Sequence, residues 1–193
     1  MKRSSFCGAL RVSAAFGVAF VVGAIVTFGV FSMAGAAVGV DELSMQWRLG
    51  IAAAGLAVFA FCDFVAIRKR SWCPLSWRRQ TPHAPRFRYG ITTTAAVWGF
   101  DTGLTVTTYR VAALTWATLL LTFLGLASWQ VGFVYALAFA IPIVTIFNGR
   151  PASRPITSVV GLLHKKSMLQ RISSITLLTA AALFLTYALK SQF

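Results

Sequence analysis

Acidic residues are the scarcest group in this 193-residue chain: four Asp plus Glu stand against 18 Lys plus Arg, and charges of both signs make up only 11% of it. A soluble domain carries about a quarter of its residues as charges, so a chain this poor in charge cannot cover a globule with water-compatible surface. That excludes a soluble enzyme, a secreted disulfide scaffold and a nucleic-acid-binding domain. Cysteine is scarce too. Cys7, Cys62 and Cys73 form no Cys-x-x-Cys, which excludes a closed zinc site and a thioredoxin-type motif. The two histidines, His83 and His164, stand apart from any Ser, Cys or carboxylate that could make a catalytic group. No HExxH, GxSxG, P-loop or carboxylate pair is present, so the chain does not read as a hydrolase or an ATPase, and nothing calls for a cofactor or a metal.

What the chain has instead is apolar length. Hydrophobic residues make up 58% of it, and they are gathered between charges. Residues 12–40, 111–149 and 172–189 contain no charge, 49–67 contain only Asp63, and 89–109 only Asp101. About 20 apolar residues make one bilayer-crossing helix. The sequence therefore predicts an all-α, polytopic integral membrane bundle forming a single membrane domain over 1–193. Its spans lie at about 12–40, 49–67, 89–126, 131–147 and 172–189.

The basic residues then report orientation. Residues 68–88 carry Arg68, Lys69, Arg70, Arg78, Arg79, Arg86 and Arg88, with Pro74, Pro82 and Pro85 to stop any helix. Residues 148–171 carry Arg150, Arg154, Lys165, Lys166 and Arg171. The positive-inside rule makes both loops and the N-terminus, with Lys2, Arg3 and Arg11, cytoplasmic, and places Asp41 and Glu42 outside, in the cell membrane. Trp72 and Trp77 suit the headgroup layer, and the basic loops suit anionic lipid headgroups. Within the second loop, Ile156, Val159, Val160 and Leu163 have the spacing of a short surface helix. The bilayer is thus the expected partner, with other membrane subunits or a second copy beside it; nucleic acid is not.

Two readings of the first and third spans stay open. Ala34-Gly35-Ala36 resembles a signal-peptidase site, but the apolar core before it is longer than the usual 7–15 residues, so an uncleaved first helix is preferred. Segment 89–126 is too long for one straight helix. A hairpin at Arg110 would give six crossings, but it lacks a turn-forming Gly or Pro and would put the basic segment 148–171 outside. A single crossing, broken or bent near Gly99–Gly103, gives five.

Asp101 is the most informative residue at this level, because an ionisable group within a span is costly and marks a functional site by default. Thr94, Thr105, Thr108 and Thr115 fall within about 40° of it on an ideal helix. That stripe could line a path for a cation or polar solute, with Gly99 and Gly103 letting the helix open and free its carbonyls. The alternative is that the threonines bond back to their own helix. Arg110, about 180° round, can pair with Asp101 only if the helix breaks. Asp63 reads as an interfacial ion-pair partner for Arg68. Among the thiols Cys73, between arginines and before Pro74, is the most reactive candidate.

The run Ala95-Ala96-Val97-Trp98-Gly99-Phe100-Asp101-Thr102-Gly103-Leu104, continuing through Thr107 and Thr108 to Trp116, resembles the broken helix that opens the second half of the CcdA/DsbD transmembrane reductant carriers, of the LysE-like superfamily. The resemblance covers about residues 88–190. It implies a helix that starts on the cytoplasmic side and breaks in mid-membrane, followed by two more helices. Where that family has its redox cysteine and proline, this chain has Thr107, Thr108 and Arg110. The resemblance therefore implies a shared scaffold with a changed role, or a subunit of a redox-linked membrane system, and Cys7, Cys62 and Cys73 are the residues that a thiol-redox function would have to use. A small transporter or channel-like subunit is the first functional expectation; a redox component and a non-catalytic subunit of a membrane complex are the alternatives.

Overall fold

The computed structural model of the chain describes residues 2–71, 85–105, 112–149 and 159–190. All regular structure among them is helical: α1 (Lys2–Ala37), a 3-10 turn (Val40–Glu42), α2 (Met45–Arg68), α3 (Pro85–Gly103), α4 (Leu114–Phe123), α5 (Val131–Gly149) and α6 (Val159–Lys190). Three stretches are long and apolar enough to cross a bilayer: Leu10–Ala37, Met45–Arg68 and Lys166–Lys190. The outward faces of these helices are apolar, with Val18, Val30, Phe61, Ile175 and Leu183 all more than half exposed. In water such a surface would be an aggregation liability; in lipid it is the ordinary one.

Three helices differ from the sequence expectation. Segment 89–126 holds two helices, α3 ending at Gly103 and α4 beginning at Leu114, with residues 106–111 outside those described. The helical path of α3 is also broken near its start, at Gly90 (φ 79°, ψ 170°). The basic stretch before the last span is no separate surface helix, at least from Val159 onward: α6 runs unbroken for 32 residues, because Lys165, Lys166, Gln170 and Arg171 are all good helix formers and nothing there stops the run.

The chain divides into two compact units. The first comprises Met1–Gly29, Arg78–Thr108 and Gln130–Pro155. Here α1 and α3 touch backbone to backbone. A Cβ at Gly99 would run into the carbonyl of Phe16, one at Gly103 into that of Phe20, and one at Gly23 into that of Phe100. The pairs 16 with 99 and 20 with 103 rise together, so the two helices run parallel. Gly99-x-x-x-Gly103 is thus a close-packing motif of the kind that drives helix association where no hydrophobic effect operates. The second of these glycines is also the last residue of α3. Phe20 and Ala24 of α1 then pack with Ala136 and Ala140 of α5, and Phe28 stands 5.6 Å from Tyr135, ring centre to ring centre.

The second unit comprises Val30–Trp77, Tyr109–Trp129 and Ile156–Phe193. In it α2 and α6 lie against each other, and α4 packs on both. Leu56 and Ala60, Ala113 and Ala117, and Leu177 and Ala181 form its core. Polar contacts fix the direction. Ser174 Oγ donates to the Ala60 carbonyl (3.2 Å), Gln170 Nε2 to that of Ser71 (3.2 Å) and Lys166 Nζ to that of Arg70 (3.4 Å), so α6 descends as α2 ascends. Helix α4 ends on Gly125 (φ 65°), whose N–H reaches the Thr122 carbonyl while that of Leu126 reaches Leu121, a Schellman-type stop. At the far end of the unit Arg48 lies 4.0 Å from Asp41.

Replacing Gly103 by Leu is expected to cost about 1–3 kcal/mol through forced separation of α1 and α3. Gly29→Ala, at a position with nothing within 4 Å of the added carbon, should leave thermal unfolding in detergent unchanged. Equal melting temperatures for the two variants would contradict the packing described.

Candidate functional site: a carboxyl buried among three helices

Along α2 the inward face is Leu49, Ala52, Ala53, Leu56, Ala60, Asp63 and Ala66, all buried. Asp63 belongs to that face and is fully buried. Its small neighbours one turn either way, Ala60 and Ala66, leave room for α6, so a short carboxyl can reach across. Ser173 Oγ donates to Asp63 Oδ2 at 2.6 Å. The backbone N–H of Ala113, the residue that opens α4, donates to Asp63 Oδ1 at 2.9 Å.

The second bond explains why α4 starts where it does. The first N–H groups of a helix have no partner within it, and the N-terminal end is the positive end of its dipole. Ala113 has no side chain to serve as a cap, and its own carbonyl is already engaged by the N–H groups of Trp116 (2.9 Å) and Ala117 (3.1 Å). A carboxyl from α2 supplies the missing acceptor. Burying it in hydrocarbon would be costly without partners; here each oxygen has one.

Arg68, the partner expected from sequence, is not used. Five residues along a helix is about 140° round it, so an inward Asp63 turns Arg68 away, and Arg68 is exposed. Asp63 is the site residue whose weight sequence reasoning missed. The available signal was the Ser173-Ser174 pair, which interrupts an otherwise apolar stretch.

The predicted stripe is placed as follows. Thr94 is buried and its hydroxyl donates to the Gly90 carbonyl (2.8 Å), at the break in α3. Asp101 is half-buried in the last turn of α3, and Thr105, just beyond, is buried with φ 27°. Neither is without a partner. Thr115 is buried on α4, in the other unit. Since α3 stops at Gly103, a uniform 100° step does not carry the stripe from Asp101 to Thr115. Thr118 and Thr122 bond back to the carbonyls of Thr115 (2.8 Å) and Thr118 (2.9 Å), which satisfies them locally. Thr108 and Arg110 lie outside the described residues, as do Cys73 and the side chain of Cys7. Cys62 is a free, partly buried thiol next to Asp63 in the chain. Among the described residues no group of three or more His, Cys, Asp or Glu could hold a metal ion.

Comparison with known proteins found no matching family, no matching curated protein and no matching solved structure.

Asp63→Ala leaves the Ala113 N–H without its acceptor, and is expected to destabilise the protein by about 1–3 kcal/mol. Asp63→Asn, which can still accept from Ala113 and exchange a bond with Ser173, should recover most of that in thermal unfolding. Equal losses in the two variants would mean the hydrogen bonds do not matter.

Proposed function

We propose that the chain is a small multi-pass integral membrane protein of the transporter or channel-like class, in the cell membrane with its N-terminus cytoplasmic. We read five crossings, with α3 and α4 as the two parts of the third. The antiparallel α2 and α6 support this count: with two crossings between them they run in opposite directions, whereas a hairpin at Arg110 would make them parallel. The parallel α1 and α3 agree with one return through α2. From Arg48 to Arg68 is 20 residues, about 30 Å of helix, the thickness of the hydrocarbon layer. Trp47 and Tyr187 are exposed at the Arg48 end, as suits a membrane interface.

The observation that carries the functional reading is the Asp63 carboxyl, about five residues inside the Arg68 boundary of a membrane-length helix. It meets the N-terminal, positive end of α4 in an interrupted segment, and broken-helix carriers turn such ends toward anionic groups at their sites. The site can also change state. An ionised Asp63 accepts from both Ala113 and Ser173. A protonated one must give its own proton to an acceptor, and the Ser173 hydroxyl can turn to serve as one, while the bond from Ala113 loses its charge assistance. Occupancy of one carboxyl by a proton thus changes how firmly α4 is held to α2. Asp101 is the separate candidate that the sequence supplies.

Proton movement into proteoliposomes, driven by a potassium diffusion potential and read with an entrapped pH dye, tests this. Wild-type protein should acidify the lumen well above empty vesicles, and Asp63→Asn should lower the rate at least about tenfold while melting near wild type. Asp101→Asn, assayed alongside, asks whether that carboxyl takes part. Wild-type flux at the level of empty vesicles, or undiminished flux in Asp63→Asn, would sink the reading.

A further inference from the structure

The end of the α2–α6 pair nearest Asp63 is crowded with positive charge. The last turn of α2 and the residues after it bring Arg68, Lys69 and Arg70, all exposed, and α6 brings Arg171, also exposed. The contacts of Ser71 with Gln170 and of Arg70 with Lys166 put these cations at one level. Within this unit no acid is set against them: Asp41 and Glu42 lie at the opposite end of α2, and Asp63 is buried and engaged. Arg70 also holds a left-handed conformation (φ 51°), costly for a side-chain-bearing residue, as the Schellman-type stop of α2. Its carbonyl is held by Lys166.

Immediately alongside, the surface turns apolar. Phe61 and Phe64 on α2 are 65% and 55% exposed, and Met168, Leu169, Ile172 and Ile175 on α6 are 50% exposed or more. A free anion has no use for such a flank, and a nucleic acid would be repelled from it by its desolvation. A molecule with an anionic head and hydrocarbon tails fits both parts. We propose that the collar of Arg68, Lys69, Arg70 and Arg171 is a binding site for an acidic phospholipid, its phosphate among the cations and its acyl chains along the exposed face of α2 and α6. Positive charge set against an anionic leaflet attracts it strongly enough that each cation lost should weaken binding about fivefold.

The test is native mass spectrometry of the full chain released from nanodiscs containing equal phosphatidylglycerol and phosphatidylcholine. The expected result is preferential retention of phosphatidylglycerol, reduced at least tenfold in an R68Q/K69Q/R171Q variant and weakened by raised salt. Inorganic phosphate, added as the headgroup chemistry without tails, should not displace the lipid. Equal retention of the two lipids, or retention unaffected by the substitutions, overturns the proposal; displacement by inorganic phosphate would show a plain anion site instead. Should the triple variant fail to fold, R171Q alone and the salt dependence of wild type decide the same question.

Discussion

Hydrocarbon offers no hydrogen bonds, so a carboxyl carried into it must be met by donors from the protein itself. Asp63 is where this constraint organises the second unit. Its two oxygens take one donor from α6 and one from the start of α4, so a single side chain fixes the spacing of α2 from α6 and the point at which α4 begins. Shift α6 by one residue and Ser173 leaves the carboxyl; begin α4 a turn later and the Ala113 N–H no longer meets it. Around this polar point the packing is ordinary: Leu56, Ala60, Ala117 and Leu177 fill the space with small and medium side chains.

The first unit is held by a different device. There the contact of α1 with α3 is backbone on backbone, made possible by the missing side chains at Gly99 and Gly103. Both devices answer the same problem, since lipid gives two apolar helices little reason to prefer each other over acyl chains. Close approach gains dispersion contacts, while a buried hydrogen bond makes separation expensive.

The spans of the helices were legible because charge is excluded from hydrocarbon. Arg48 and Arg68 bracket α2 almost to the residue, and the long uncharged run after Arg11 is the body of α1. The start of α6 was not legible, because Lys165, Lys166 and Arg171 border an apolar run without ending a helix. The stripe through Asp101 assumed one helical phase from Thr94 to Thr115, and phase is lost wherever a helix stops, as α3 does at Gly103. Gly99 and Gly103 were visible as special positions, but sequence did not show that they also admit the backbone of α1. The weight of Asp63 was hidden for a related reason. Its partners are 50 and 110 residues away, and one of them is a backbone N–H that any residue type would present.

A double-mutant cycle measures how firmly the Asp63 carboxyl ties α2 to α6. Asp63→Ala, Ser173→Ala and the double variant would be compared by equilibrium or thermal unfolding in a fixed lipid environment. If the two side chains bond as described, their losses are not additive, with a coupling of about 1 kcal/mol or more. Losses that simply add, within about 0.5 kcal/mol, would place Ser173 and Asp63 out of contact and leave α2 and α6 held by packing alone.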